Sequence, residues 1–184
     1  MGPSYCQSTG FRGGDSGRII LDNRRVVCFE DVREKGHMEA LDRVSAILKD
    51  KGVQIWSIGP AATVYEALEI MAGKGVGALP VISGGRLIGL LSERDYARKV
   101  VLRGRSSKET RVEEVMSSPA ITVTPDCSVE EAMRMMTESR VRHLPVVAAN
   151  GDLLGIISIG DLVKWIITSQ EETIKQLHSY IAGS

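Results

Sequence analysis

Gly89-Leu-Leu-Ser-Glu-Arg-Asp95 returns as Gly155-Ile-Ile-Ser-Ile-Gly-Asp161. Two further blocks return in the same order. Ala78-Leu-Pro-Val-Ile82 recurs as His143-Leu-Pro-Val-Val147, and Thr63-Val-Tyr-Glu-Ala67 as Ser128-Val-Glu-Glu-Ala132. The offset is 65 residues between Pro80 and Pro145 and 66 between Asp95 and Asp161. A repeat at fixed spacing sets the architecture before any single residue does. Two units in 184 residues predict one pseudo-two-fold module, because a single unit of this size buries too little surface to stand comfortably alone.

Each unit reads as β-α-β-β-α. In the first, the pattern gives a strand at Gln54–Ile58, a helix at Val64–Lys74, strands at Ala78–Ser83 and Leu87–Leu91, and a helix at Glu93–Leu102. Gly84-Gly85 between the two apolar runs marks a hairpin. In the second, strands fall at Ala120–Val123, His143–Val147 and Leu153–Ile157, with helices at Val129–Ser139 and Asp161–Thr168 and an Asn150-Gly151 turn. Thr63…Glu66, Ser92…Asp95, Ser128…Glu131 and Ser158…Asp161 carry the spacing of capping boxes. A leading helix precedes the units, with Leu41, Val44, Ile47 and Leu48 on one stripe and Gly52 as its stop. A final amphipathic helix follows, with Ile174, Leu177 and Ile181 on one face. The expected class is α/β (α+β). The expected division is an extension at 1–38, a leading helix at 39–52, repeat one at 53–103, a linker at 104–119, repeat two at 120–168 and a C-terminal helix at 169–184. Residues 1–37 hold six of the 19 glycines and two β-like runs, Arg18–Leu21 and Val26–Phe29. They match neither repeat, and Met38 would serve as a start.

Lysine and arginine total 23, as do aspartate and glutamate, so no net field draws the chain to nucleic acid or an anionic membrane. The basic Arg103–Arg111 stretch lacks the aromatics that stack bases, which makes nucleic-acid contact the weakest reading. No apolar run is long enough to span a bilayer. Cys6, Cys28 and Cys127 form no paired spacing, and the N-terminus has no apolar signal-like core; both point to the cytoplasm. Gly73-Lys-Gly-Val-Gly77 superficially looks like a phosphate loop, but it ends a helix instead of starting one and is read as a C-cap. Met71, Met133, Met135 and Met136 are read as core fillers.

The candidate site residues cluster at the strand-to-helix junctions. Ser92 and Ser158 at N-caps offer a hydroxyl and free N–H groups to an anion. Arg142 and His143 at a strand end are phosphate partners by type. Thr124 adds a hydroxyl at the end of the first strand of repeat two. Repeat one has Gly59, Gly77 and Ala78 at the positions of Thr124, Arg142 and His143, and has Arg94 and Arg98 as compensating cations. The clefts are therefore expected to be unequal, the stronger built on Ser158, Asp161, Arg142 and His143. No catalytic set is present. Asp161 lies three residues from Ser158, which suits a cap and not the orienter of a distant imidazole. The chain is read as a non-enzyme without a metal.

The h-L-P-V-h strand, the Gly-h-h-S-x-x-D ending and the tandem arrangement over about residues 53–168 resemble the cystathionine-β-synthase (CBS) domain. The S-E-R-D-Y, G-R-S-S-K and R-H-L-P blocks are similar to those of stand-alone CBS-pair proteins. The resemblance implies a compact pair (a Bateman module) with two clefts between the sheets, each mixing residues of both repeats. It implies an adenosine ligand (AMP first, with ADP, ATP, NAD(H) or S-adenosylmethionine as alternatives), held at its ribose by Asp95 or Asp161. It also implies a homodimer and a regulated partner protein. The competing expectation is a ligand-independent dimerisation scaffold.

Overall fold

The computed structural model describes residues 21–22, 25–26, 43–52 and 54–182. Of the glycine-rich leader, Leu21–Asp22 (β1) and Arg25–Val26 (β2) form an antiparallel pair. Cys6, Cys28, His37, Met38, Leu41 and the remainder of the two β-like runs lie outside the described residues. The leading helix is α1 at Val44–Lys51, with Gly52 at its C-cap. Repeat one then provides α2 at Val64–Lys74, β3 at Ala78–Ser83, β4 at Arg86–Ser92 and α3 at Glu93–Lys99, which tightens into a 3₁₀ turn at Val101–Arg103. A short α4 at Val112–Val115 precedes repeat two. Repeat two has α5 at Val129–Glu138, β5 at His143–Val147, β6 at Leu153–Ser158 and α6 at Ile159–Ala182.

Both hairpins pair in antiparallel register, Pro80 opposite Leu90 and Pro145 opposite Ile156. The expected first strand of each repeat shrinks to one parallel bridge. Ile58 sits on the β3 edge between Pro80 and Ile82, and Val123 on the β5 edge between Pro145 and Val147. The two central prolines are tolerated because they lack only the N–H, while their carbonyls accept from Ile58 and Val123 at 3.0 Å each. The final two helices expected from sequence are one continuous helix, α6. No glycine or proline interrupts Asp161–Ile181, so nothing in the chain ends a helix there.

Two cores form. Repeat one buries Val64, Ala67, Met71, Leu79, Val81 and Leu91, and α4 completes it with Val112 and Val115. Repeat two buries Ala132, Met135, Met136, Leu144, Val146, Ile157 and Leu162, and its last side is closed by Val44 and Ile47 of α1. The helix ahead of repeat one therefore belongs to the core of repeat two. Backbone bonds fix this exchange. The Val44 and Ser45 N–H groups donate to the Cys127 and Pro125 carbonyls, just as those of Val112 and Glu113 donate to Ala62 and Pro60, all at 2.9–3.0 Å. The repeated glycines let these helices in. A Cβ on Gly155 would lie 2.7 Å from Leu48 Cδ2, and one on Gly89 would lie 2.7 Å from Met116 Sδ and 2.9 Å from the Ser117 carbonyl oxygen.

Three of the four capping boxes close in both directions: Thr63/Glu66, Ser92/Asp95 and Ser158/Asp161. At the fourth, Ser128 Oγ accepts from the Glu131 N–H at 3.1 Å, but the Glu131 carboxylate turns instead to Arg134, 2.6 Å away. A neighbouring guanidinium one helical turn on outcompetes the backbone N–H for that carboxylate.

Candidate functional site

In repeat two the chain passes from β6 into α6 at Ser158, which places Asp161 in the first helical turn. Asp161 Oδ2 accepts from the Ser158 N–H at 2.7 Å and from Ser158 Oγ at 2.8 Å. A third donor comes from 110 residues away: Lys51 Nζ, at the end of α1, donates to Asp161 Oδ2 at 2.6 Å and to the Ile156 carbonyl at 3.2 Å. Among the described residues, Asp161 Oδ1 accepts no hydrogen bond. Burial pushes the Asp161 carboxyl up, but the bonds from Lys51 and Ser158 outweigh it and hold the group below the ordinary carboxylate range.

These groups open on a cleft of roughly 270 Å³ shared by both repeats. Its polar end is Lys51, His143, Ser158 and Asp161. Its apolar wall is Ile55, Trp56, Val76, Ala78 and Ile156. Lys74 Nζ stands 4.2 Å from the Trp56 ring centroid, which helps fix the indole. His143 is half-buried, and burial is the main reason its pKa lies below the ordinary histidine value. Lys51 and Arg142 add to the lowering, while Asp161 and Glu93 oppose it. The imidazole is thus neutral at pH 7. Gly77 lines the same cleft, and a Cβ there would lie 3.3 Å from His143 Cε1 and 3.5 Å from Glu93 Oε2. The missing side chain lets the imidazole and that carboxylate approach one point.

The corresponding junction of repeat one is filled from within. Asp95 Oδ2 accepts from the Ser92 N–H at 3.1 Å and from Ser92 Oγ at 2.6 Å; Oδ1 accepts from Lys99 Nζ at 2.8 Å and Ser117 Oγ at 3.2 Å. Burial raises its pKa, and the Lys99 and Ser92 bonds bring it below the ordinary value. Arg94 Nη1 donates to the Arg140 carbonyl at 2.6 Å. It ties α3 to the turn before β5.

Ser158, Asp161 and His143 therefore meet at one cleft, as the sequence predicts, while Arg142 and Thr124 do not line it. Neighbouring residues at a strand end project to opposite sides. With His143 turned into the cleft, Arg142 is exposed, and its carbonyl accepts from the Ile159 N–H at 2.9 Å. Thr124 is half-buried beside the Val123 bridge, its carbonyl accepting from the Cys127 N–H at 3.2 Å. The cation that sequence reasoning missed is Lys51. A signal for it exists: Arg43-Val44-Ser-Ala-Ile47-Leu48 matches Arg111-Val112-Glu-Glu-Val115-Met116 at an offset of 68. That match marks α1 as the counterpart of α4, each the closing helix of a core.

Residues 45–102 and 112–168 each match the CBS domain. The chain belongs to the CBS-domain family. It is a tandem CBS pair. It is similar to the mitochondrial CBS domain-containing protein CBSX3 of Arabidopsis thaliana, 39% identical over 150 residues, covering 76% of this chain and 72% of the relative. A solved CBS-domain structure from Burkholderia ambifaria MC40-6 aligns with TM-score 0.65 and 50% identity, over 69% of this chain and 93% of the other. The CBS domain pair of protein MJ0100, solved in complex with 5-methylthioadenosine and S-adenosyl-L-methionine, shares the fold with TM-score 0.61 and 22% identity, over 69% of this chain and 97% of that one. Among the described residues no helix of this CBS pair is long and apolar enough to cross a membrane.

Proposed function

We propose that this CBS pair is a regulatory module that takes an adenosine ligand, AMP in first place and NAD(H)-like nucleotides next, in the Asp161 cleft, and passes its occupancy to a partner protein. The observation that carries the reading is the Asp161 carboxylate itself. One oxygen is committed to the helix cap and to Lys51; the other accepts no bond among the described residues and can take hydroxyl protons at the mouth of a cleft with an apolar wall. A ribose diol supplies two such protons, the apolar wall suits a purine, and Ser158 and Lys51 suit a phosphate. The adenosine compounds named in the MJ0100 complex belong to the same ligand class. The repeat-one junction, with both Asp95 oxygens taken, is read as the weaker cleft.

A binding module is favoured over an enzyme: Asp161 Oδ2 is bonded to Ser158 and Lys51, and among the described residues no bond from Asp161 orients His143 for base catalysis. The nucleic-acid reading is disfavoured, because part of the basic stretch is paired within the chain. Arg105 pairs with Glu114, Arg111 with Glu113 at 3.9 Å, and Lys108 lies 5.1 Å from the Tyr65 ring centroid. Signalling then follows from differential affinity: ligand stabilises one arrangement of the pair over another, and a partner reads the change.

Thermal denaturation against AMP, ADP, ATP, NADH and S-adenosylmethionine tests the proposal. A ligand at 100 times its Kd adds about 2.7 kcal/mol to the native state, so a rise in midpoint is expected for AMP, with one equivalent bound per chain by calorimetry. Asp161→Asn, which keeps a capping oxygen but not the charge, should remove the rise. If no compound moves the midpoint, the ligand-independent scaffold stands in its place.

A further inference from the structure

We infer that Lys51 sets the charge class of the ligand: the Asp161 cleft selects adenosine compounds carrying an anionic group next to the ribose and rejects neutral and sulfonium ones. The inference deepens the adenosine-binding reading and rests on it. Lys51 comes from α1, outside both repeated β-α-β-β-α units, and has no counterpart cation in the other half. At the offset of 68 that relates α1 to α4, its position is taken by Pro119. The repeat-one carboxylate draws its lysine, Lys99, from its own helix instead.

The placement of the ammonium determines what the cleft can hold. Lys51 Nζ is anchored at two points inside the cleft, 2.6 Å from Asp161 Oδ2 and 3.2 Å from the Ile156 carbonyl. Its charge is answered by Asp161. A diol that hydrogen-bonds Asp161 draws on the same carboxylate and weakens its hold on the ammonium. A neutral ligand offers Lys51 nothing in return. A ligand with a phosphate restores a full charge-assisted contact on a flexible lysine stem. A sulfonium places a second cation beside the first and is repelled. The neighbouring imidazole does not supply the missing selectivity, since His143 is held neutral by burial and by Lys51 itself. Of the other cations nearby, Lys74 stands over the Trp56 ring and does not line the cleft, Arg94 is bonded to the Arg140 carbonyl, and Arg142 is off the cleft wall. Selection by charge therefore falls on Lys51.

The test compares AMP, adenosine, 5-methylthioadenosine and S-adenosylmethionine by calorimetry on the full chain and on Lys51→Met and Lys51→Arg. Wild type is expected to prefer AMP over adenosine by at least about tenfold, the scale of one charged hydrogen bond, and to bind S-adenosylmethionine most weakly of the four. Lys51→Met should bring the AMP-to-adenosine ratio close to one, and Lys51→Arg should restore it. Raising the salt concentration should weaken AMP but not adenosine. Equal affinity for AMP and adenosine in wild type, or a ratio unchanged in Lys51→Met, overturns the charge selection while leaving adenosine binding intact. Binding of none of the four compounds overturns the functional reading and this inference together.

Discussion

Asp161 and His143 make acid the natural probe of the cleft, and their shifts act in the same direction. Asp161 has a folded pKa below its ordinary 3.8, so its contribution to stability is complete above that value and is lost as pH falls through the lower folded pKa. His143 has a folded pKa below its ordinary 6.5. Below 6.5 the unfolded chain takes up a proton that the folded imidazole resists, so stability falls from pH 6.5 down to the folded pKa. His143→Gln should flatten the midpoint-versus-pH curve in that upper window; Asp161→Asn should flatten it below pH 3.8 and extend the histidine window to lower pH, because the Asp161 charge opposes the lowering of the His143 pKa. A curve unchanged by His143→Gln would mean the ring is not held neutral. At this scale the sequence was most informative where the chemistry is local. Ser158 and Asp161 are three residues apart, and the cap that joins them needs nothing beyond one helical turn. The sequence marks the helix that carries Lys51 but not its place in the cleft, because its partner is 110 positions away.

At the scale of elements, the exchange of α1 gives an unequal pattern of damage. Ile47 lies in repeat one's leading helix by sequence but is 4% exposed in the core of repeat two. Ile47→Ala is expected to cost about 2–5 kcal/mol, the range for truncating a buried aliphatic residue. Hydrogen exchange should quicken first in β5 and β6, with β3 and β4 still protected. Protection lost first in β3 and β4 would contradict the assignment of α1 to the second core. The hairpins, α2 and α5 were legible from period and turn residues, because each is held by contacts near in sequence. The first strand of each repeat was over-read. Gln54–Ile58 and Ala120–Val123 have strand-like composition, but among the described residues each makes one bridge, at Ile58 and Val123. Composition reports that a segment suits a sheet edge, not how many ladder bonds it makes.

At the scale of the molecule, α6 presents Ile159, Val163 and Ile167 to solvent at 38, 44 and 52% exposure. They fall four residues apart on one open face, which Gly160, Lys164 and Thr168 continue. A two-fold interface uses the same patch on both copies, so this face is where the homodimer implied by the resemblance is expected to pair. Sedimentation of the wild type should give a dimer, and Val163→Glu should give a monomer that still binds AMP. A wild-type monomer, or a dimer indifferent to Val163→Glu, would remove this face from the assembly.

The repeated blocks alone determined the tandem order of helix, hairpin and helix, the two equivalent junctions and the serine–aspartate pair at each, because those features rest on hairpins, caps and periodicity that close within a few residues. Only the tertiary structure decided which helix completes which core, that α1 carries Lys51 to Asp161, and that His143 turns inward while Arg142 faces solvent. These contacts join groups far apart along the chain, and packing of the two halves, not local preference, selects them.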